Sequence, residues 1–271
     1  MITKKSINFI KTAVFFLMIL LCMSGLSRSA RGSRSNWSYV TIIRHACGGI
    51  DGIAYTNSME ALESSILSGC GAVEIDFRFT SDGTLICAHD WDDIGLDLQP
   101  TLEEFKKYRI NDKYTPMTAE EALTGMAATK CFLIIDTKES DTLSVYKEID
   151  RILSQITDGE KFKKQLVPQI YAQEEYDLLK TVYDYQNWIF TTYKLNAKKN
   201  SEFKEIAAFC KEKGIKTVTI PKERVTETRI GYFTKKKIRV ATHTVNTAEE
   251  WDQLTDMGVS LIYTDFGKQD N

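Results

Sequence analysis

The sequence lacks the features that mark several large classes of protein. Its 35 Lys and Arg residues nearly balance its 37 Asp and Glu residues, so no excess of positive charge indicates a surface for nucleic acid. Residues 37–266 contain no Pro- or Gly-rich linker and no low-complexity tract. We therefore expect a single α/β domain with no nucleic-acid partner, in which any anionic ligand is bound locally by a few residues.

The cysteines form no CxxC pair. The five that follow residue 30 are widely spaced, at Cys47, Cys70, Cys87, Cys131 and Cys210. This spacing argues against a zinc site and against a dense disulfide scaffold. An odd number leaves at least one thiol unpaired, and one or two disulfides remain open in an exported protein. The sequence does not select the pairs.

Residues 1–30 differ in kind from the rest. Lysines precede an apolar run at 13–23, and small residues follow it. This order predicts a secretory signal peptide, because a membrane span takes about 20 apolar residues. Arginines beyond the run leave the cleavage site poorly defined, so an uncleaved N-terminal membrane anchor is the alternative. In both cases we expect an extracytoplasmic protein, either secreted or anchored to the outer face of the cytoplasmic membrane through this segment.

Short β-branched or apolar runs alternate with longer amphipathic stretches after the leader. They predict nine strands, at 39–43, 72–77, 85–88, 132–136, 166–170, 188–192, 217–220, 239–244 and 261–264. Only the turn-like residues 80–83 separate the second strand from the third, too few for a parallel crossover, so the third is an antiparallel hairpin arm. The other eight predict a (β/α)8 TIM barrel over residues 37–271, with a small β-hairpin insertion after strand 2.

One helix is legible between the first two strands. We expect Asn57 and Glu60 to form a capping box at its start, and Gly69 to follow its last turn. Between these ends an apolar stripe faces the core, made of Met59, Leu62 and Ile66.

Polar side chains cluster at the carboxyl ends of the predicted strands, where barrels carry their functional residues. Period-two geometry places Glu74, Asp76 and Arg78 on one face of strand 2. Neighbouring buried carboxylates repel and need a bound cation or a raised pKa. With Asp136 they offer the oxygen ligands that Ca²⁺ or Mg²⁺ prefers. The alternative is a structural network in which Arg78 and Lys138 neutralise the acids.

Histidine is scarce, with three in the chain, yet all three fall at or just past predicted strand ends. Two histidines at one site can serve as general base and general acid. We expect His45 and His89 to be this pair. His243 either takes part in the same chemistry or shapes the pocket.

These residues resemble the glycerophosphodiester phosphodiesterase family, which belongs with the phosphatidylinositol-specific phospholipase C-like barrels. The resemblance rests on residues 45–49 (HACGG), 56–61 (TNSMEA), 74–83 (EIDFRFTSDG) and 89–90 (HD). It continues through nearly all of the chain after the leader, to residues 244–246 and 258–266. The order of the Glu-x-Asp, Thr-x-Asp-Gly and His-Asp motifs is specific to this family.

The resemblance implies a metal-dependent phosphodiesterase that hydrolyses a glycerophosphodiester-type substrate to an alcohol and a phosphomonoester. The substrate would be a small phosphodiester or a phospholipid-derived molecule. A substrate hydroxyl would attack first, giving a cyclic phosphate that water opens. The implied site residues are His45 and His89 for acid–base catalysis, Glu74, Asp76 and Asp136 for Ca²⁺ or Mg²⁺, and Lys138, Asn57, Arg78 and His243 for substrate and phosphate.

The chain departs from the family pattern in ways that place it in a divergent branch. Ala46 stands where the family usually has Arg, and Asp136, Thr56 and His243 replace the usual Glu, Glu and Trp. The missing Arg keeps open a catalytically degenerate barrel that binds phosphate-bearing glycans or lipids at the cell surface. A metal-dependent barrel that stabilises an enolate is a further alternative, but it would not explain two histidines beside the acids.

Overall fold

A computed structural model describes residues 36–92, 95–196 and 198–268. The described residues from Trp37 to Lys268 form one structural unit. The expected signal peptide or anchor at residues 1–30 lies outside the described residues. Within the described part, no helix combines the length and apolar character that crossing a bilayer requires.

The described strands belong to one sheet, in which eight parallel strands close into a barrel. The strands are β1 Ile42–Arg44, β2 Ala72–Phe79, β3 Leu85–Cys87, β4 Phe132–Thr137, β5 Leu166–Ile170, β6 Ile189–Thr191, β7 Thr217–Thr219, β8 Arg239–Thr242 and β9 Leu261–Thr264. The parallel strands follow the order β1–β2–β4–β5–β6–β7–β8–β9, and β9 pairs with β1. β3 pairs antiparallel with β2 at the edge of the barrel sheet. The predicted (β/α)8 TIM barrel with a hairpin after strand 2 is confirmed.

Helices connect the strands over the outside of the barrel. The α-helices of the described part are α1 Met59–Leu67, α2 Leu102–Lys107, α3 Ala119–Ala127, α4 Thr142–Leu153, α5 Gly159–Phe162, α6 Gln173–Leu179, α7 Asn200–Lys213, α8 Glu227–Thr234 and α9 Ala248–Asp256. Short 3-10 turns lie at Trp37–Tyr39, His45–Cys47, Lys163–Gln165 and Lys222–Arg224.

The predicted cap of α1 is wrong by one residue. Ser58, not Asn57, is the N-cap, and its hydroxyl accepts a hydrogen bond from the backbone N–H of Ala61. Glu60 turns away from the helix end and accepts hydrogen bonds from Thr115. Asn57 is fully buried and is used at the site described below. The end of the helix agrees with the prediction, because Gly69 follows the last turn with φ +73°.

The inward-facing rows of β2 and β4 change character along the barrel. At their amino ends they carry Ala72, Phe132 and Ile134, which pack in one apolar cluster with Trp37 and Leu261. At their carboxyl ends the same rows continue as Glu74 and Asp76 on β2 and Asp136 on β4. The intervening residues pack outward against the helices, as Val73, Ile75, Leu133 and Ile135 do. Apolar side chains thus fill the barrel interior at the amino ends of these strands, and the acids lie at the carboxyl ends.

The hairpin arm β3 begins an excursion that has its own small core. Ile86, Ala88, Phe105, Ile110 and Tyr114 are buried together there, and Trp91 packs against them. The backbone N–H of Ala88 donates to the carbonyl of Asp76, which keeps the end of β3 beside the acidic end of β2. His89 follows directly, so the hairpin brings this histidine to the acidic end of the barrel.

Candidate active site

The three predicted acidic ligands meet at the carboxyl end of the barrel. Glu74, Asp76 and Asp136 each offer a carboxylate oxygen, and these oxygens lie within 4.8 Å of one another. All three side chains are buried, and Asp76 lies directly opposite Asp136 on the neighbouring strand. This is a spacing that one cation can bridge.

Glu74 is oriented by the loop that follows β1. There Ala46 and Cys47 both adopt positive φ, +46° and +70°, an uncommon backbone conformation for residues with a Cβ. The turn directs the backbone N–H of Ala46 to Glu74 Oε2 at 2.6 Å. The other oxygen, Oε1, is buried and has no hydrogen-bond partner among the described residues. Burial, reinforced by the two neighbouring acids, raises the pKa of Glu74 well above its ordinary value.

Asp76 is held by Asn57 through a reciprocal pair of hydrogen bonds. Asn57 Nδ2 donates to Asp76 Oδ2 at 2.8 Å, and the Asp76 backbone N–H donates to Asn57 Oδ1 at 3.1 Å. Burial alone would raise the pKa of Asp76, but the positive charge of Lys138 and the Asn57 hydrogen bond help to lower it. Asn57 therefore lies behind Asp76 as a partner of that carboxylate.

Lys138 and Tyr171 complete the surroundings of the acids. The Lys138 ammonium lies 2.9 Å from Asp76 Oδ1 and 2.8 Å from Asp136 Oδ2. The Tyr171 hydroxyl donates to Asp136 Oδ1 at 2.7 Å. Burial opposes the charge of Lys138, yet Asp76 and Asp136 outweigh it and raise the pKa of the ammonium.

The net negative charge of this cluster is one that a divalent cation would balance. Three carboxylates and one ammonium carry three negative charges and one positive charge when ionised, a net charge of −2. Such an imbalance is costly in a buried site unless a cation offsets it. The unpartnered Oε1 of Glu74 is an oxygen that a cation would satisfy. The donor set is oxygen only, so the residues fit a hard ion.

His45 is oriented by a buried carboxylate from the last strand end. Its Nδ1 lies 3.0 Å from Asp265 Oδ1. Asn246 Nδ2 donates to Asp265 Oδ2 at 2.8 Å, and Asn246 Oδ1 accepts from the Asp265 backbone N–H at 2.9 Å. With Nδ1 engaged, Nε2 is the ring nitrogen available for proton transfer. The motif at 258–266 contained Asp265, but sequence reasoning did not assign it a role.

Gly48 and Gly49 let the His45 loop approach its neighbours closely. A Cβ at Gly49 would lie 2.1 Å from the ring of Phe266, and one at Gly48 would lie 2.5 Å from the Ser65 hydroxyl. Gly48 also has φ +87°. The two glycines of the HACGG stretch therefore stand where a side chain would collide with neighbouring residues.

Tyr55 lies between the two predicted catalytic histidines. Its ring centre is 4.6 Å from that of His45 and 5.3 Å from that of His89, edge to face in both cases. Its backbone adopts φ +61°, which is rare for a bulky residue and typical of constrained positions at functional sites. Sequence reasoning missed Tyr55, because neither periodicity nor the compared motifs single it out.

Arg78 lies with the hairpin arm and the residues that follow it. Its Nη1 is 3.4 Å from Asp90 Oδ1, and its guanidinium carbon is 4.4 Å from the centre of the Trp91 ring. Asp90 Oδ2 is in turn 3.1 Å from His89 Nδ1. The sequence left open a structural network in which both Arg78 and Lys138 neutralise the acids. In the structure Lys138 pairs with the acids, whereas Arg78 supports the loop that carries His89.

A cavity of about 620 Å³ opens onto these groups. His45, Glu74, His89, Asp136 and Lys138 line one part of it. Its wall continues over the ends of β5 to β9 with Gln169, Tyr171, Thr191, Tyr193, Lys194, Thr219, His243 and Tyr263. Six of the nine predicted site residues therefore line the cavity, and Asp76, Asn57 and Arg78 do not. Asp76 lies beside the wall in contact with Lys138, Asn57 contacts Asp76, and Arg78 contacts Asp90 on the loop after the hairpin arm.

His243 lies in the cavity wall in a neutral form. Burial, with a smaller effect from His45, lowers its pKa from 6.5 to about 4. At neutral pH its imidazole is uncharged, so it can donate or accept a hydrogen bond but does not supply a positive charge to a phosphate.

The fold and the site together define a class of protein: a parallel barrel whose carboxyl end places an acidic trio with the spacing to hold a cation beside two histidines. Within that class the chain belongs to the glycerophosphoryl diester phosphodiesterase family, whose model matches residues 31–268. Members of this family are phosphoric diester hydrolases, and the chain is an enzyme of that kind.

Solved structures of the family share this fold. The chain is similar to a glycerophosphodiester phosphodiesterase from Parabacteroides distasonis ATCC 8503, with 20% identity, a TM-score of 0.65 and coverage of 83% of this chain and 92% of the other. The chain is also similar to a putative glycerophosphodiester phosphodiesterase from Galdieria sulphuraria, with 16% identity, a TM-score of 0.68 and coverage of 84% of this chain and 94% of the other. A third similar structure is an Oleispira antarctica phosphodiesterase solved in complex with the product sn-glycerol-3-phosphate. It has 16% identity, a TM-score of 0.65 and coverage of 85% of this chain and 95% of the other. No curated protein matches the sequence significantly.

Proposed function

We propose that the chain hydrolyses a glycerophosphodiester-type substrate to an alcohol and a phosphomonoester with the help of Ca²⁺ or Mg²⁺. The observation that carries this proposal is the meeting of the buried acids and both histidines at one cavity. The product sn-glycerol-3-phosphate bound to the Oleispira antarctica phosphodiesterase supports a glycerol phosphate product. The remaining volume of the cavity would accommodate the leaving alcohol.

Glu74, Asp76 and Asp136 would hold the cation, with Asn57 and Ala46 fixing two of the carboxylates. When bound, the ion supplies Lewis-acid polarisation of the phosphoryl oxygens and lowers the pKa of the attacking hydroxyl. Lys138 adds a positive charge at the same place, in a chain that has Ala46 where the family usually has Arg.

His45 and His89 would move the protons. One takes the proton from a substrate hydroxyl as that hydroxyl attacks phosphorus, and the other donates a proton to the leaving alcohol oxygen. The product of this step is a cyclic phosphate, which water opens with the two roles exchanged. Asp265 holds the His45 ring by Nδ1 and stabilises it when protonated, so that Nε2 carries the transferred proton. His243, neutral at pH 7, would bind the substrate by hydrogen bonding.

We also propose that the protein acts outside the cytoplasm, secreted or held at the outer face of the cytoplasmic membrane. The support is the order of lysines, apolar run and small residues in the first thirty positions. Protease treatment of intact cells that express the full chain tests this proposal. Digestion, or release of a shortened chain into the medium, is expected; full protection until the cells are lysed would contradict it.

A substrate panel tests the reaction. Glycerophosphodiesters, lysophospholipids and phosphoglycans are incubated with the wild-type protein and Glu74→Ala, in the presence of Ca²⁺ or Mg²⁺. We expect the wild type to release alcohol and phosphomonoester from at least one glycerophosphodiester, with a cyclic phosphate visible by phosphorus NMR. His45→Ala and His89→Ala are each expected to abolish cleavage. Ligand binding with no cleavage of any member would instead favour the non-catalytic barrel.

A further inference from the structure

Two cysteines lie together at the end of the barrel opposite the cavity. Cys70 lies two residues before Ala72, the first residue of β2, and Cys131 immediately precedes β4. Their Sγ atoms are 3.3 Å apart. We propose that Cys70 and Cys131 form a disulfide bond when the protein meets a disulfide-bearing oxidant. This inference is independent of the proposed reaction.

The backbone around the pair has the spacing that a disulfide requires. β2 and β4 are neighbouring parallel strands, with Ala72 opposite Phe132, and the Phe132 N–H donates to the Gly71 carbonyl at 2.9 Å. Continuing this register places Cys70 diagonal to Cys131, at about 6 Å between Cα atoms, from a strand spacing of about 4.8 Å and a rise of about 3.3 Å per residue. Disulfides span this Cα separation without movement of the backbone.

The other described cysteines are placed differently. Cys47, Cys87 and Cys210 are fully buried, and burial raises the pKa of each thiol. Cys70 is partly exposed, so an oxidant can reach it. Its hydrogen bond with Cys131, together with the positive charge of Arg44, lowers the pKa of the Cys70 thiol. The lowered pKa favours Cys70 as the attacking thiolate.

The chemistry is a thiol–disulfide exchange. The Cys70 thiolate attacks one sulfur of the oxidant's disulfide, forms a mixed disulfide and releases the first reduced thiol. Cys131 then loses its proton and attacks the Cys70 sulfur, which forms the Cys70–Cys131 bond and releases the second thiol. Two electrons pass from the cysteines to the oxidant, whose disulfide becomes two thiols.

The bond would close a loop of the chain that contains several of the proposed site residues, but it would not contact those residues. The closed loop of residues 70–131 contains Glu74, Asp76 and His89, all of which lie at the other end of the barrel. A loop of this length restricts the unfolded chain strongly, so we expect a gain in stability. Activity should not depend on the bond, because the strands are already paired when the thiols are reduced.

Peptide mapping of the full chain tests the proposal. The reduced protein is incubated with oxidised glutathione, its remaining thiols are alkylated under denaturing conditions, and the peptides are identified by mass spectrometry without reduction. We expect a linked Cys70–Cys131 peptide, with Cys47, Cys87 and Cys210 alkylated. Treatment with dithiothreitol should then lower the Tm of the oxidised protein by about 10 °C.

Matched variants provide the controls. Cys70→Ser should remove both the linked peptide and the response of the Tm to dithiothreitol, whereas Cys210→Ala should keep both. The dithiothreitol experiment on wild-type protein needs no variant, so a folding defect in Cys70→Ser leaves the test intact. Alkylation of Cys70 and Cys131 after exposure to the oxidant, or a linked peptide between other cysteines, would overturn the proposal.

Discussion

At the scale of single residues, this site depends on partners that hold the functional groups. His45 is held by Asp265, Asp76 by Asn57, and Glu74 by the backbone N–H of Ala46 in a left-handed turn. Such partners commonly change metal affinity or activity by about 10- to 100-fold when they are removed. The residues behind the cavity wall are therefore expected to matter almost as much as those in it.

Asp265→Asn is expected to lower kcat by roughly 10²-fold or more while KM changes little. The carboxylate that fixes the His45 tautomer and stabilises the protonated ring is lost, and general acid–base catalysis contributes roughly 10²- to 10⁴-fold. Steady-state kinetics on a glycerophosphodiester provide the measurement. Asp252→Asn is the control, since Asp252 is exposed and pairs with Lys268. Equal kcat values for Asp265→Asn and the wild type would contradict this role.

His243→Gln is expected to reduce the acid sensitivity of the fold. The folded-state pKa of His243, about 4, lies below the unfolded value of 6.5, so the unfolded chain binds more protons between these values. Stability is therefore lost as the pH falls from 6.5 towards 4, and a neutral amide removes this contribution. Thermal unfolding of both proteins from pH 7 to pH 5 should show a smaller fall in Tm for the variant. Parallel curves would show that His243 is not buried in its neutral form.

At the residue scale, sequence predicts the placement of side chains that lie at a strand end. Glu74, Asp76, Asp136 and Lys138 lie where the strand pattern puts them. Tyr55 and Asp265 could not be found in this way. Tyr55 occupies a loop whose conformation depends on packing, and Asp265 reaches His45 across 220 residues of chain, through the closure of β9 onto β1.

At the scale of elements, α1 shows how a short motif can be assigned one residue out of place. Asn57 and Ser58 are both residues that cap helices well, and sequence alone does not separate them. The structure assigns Ser58 to the helix and Asn57 to Asp76 because the chain turns at Asn57, where φ is +44°. The element was predicted correctly, and its first residue was decided by a contact with β2.

Ser58→Ala is expected to lower mainly the stability of the fold, and Asn57→Ala mainly the metal-dependent activity. Loss of the Ser58 cap should cost about 1 kcal/mol and lower Tm by about 2–4 °C, with kcat close to that of the wild type. Loss of Asn57 should weaken metal-dependent activity by about 10- to 100-fold, because Asp76 loses its partner. Paired measurements of Tm and kcat at several metal concentrations distinguish the two roles. Unchanged activity in Asn57→Ala would remove Asn57 from the site.

At the scale of the whole molecule, the number of strands and their direction were predictable from sequence. Nine strand patterns and one connection too short for a crossover were sufficient to give an eight-stranded barrel and a hairpin arm. Sequence could not give the shape of the cavity, because the far wall consists of residues such as Tyr193 and Lys194 that carry no motif. Under the proposed function the leaving alcohol would contact that wall, so the reaction class is easier to predict from sequence than the substrate.

The metal requirement of cleavage tests the central claim most directly. Protein freed of metal by a chelator is assayed on a glycerophosphodiester before and after addition of Ca²⁺ or Mg²⁺, beside Glu74→Gln, which keeps the size of the side chain. We predict no cleavage without metal, recovery in the wild type when metal is added, and at least a roughly 10²-fold lower rate in Glu74→Gln. Full activity of the wild type in the presence of the chelator would contradict the account.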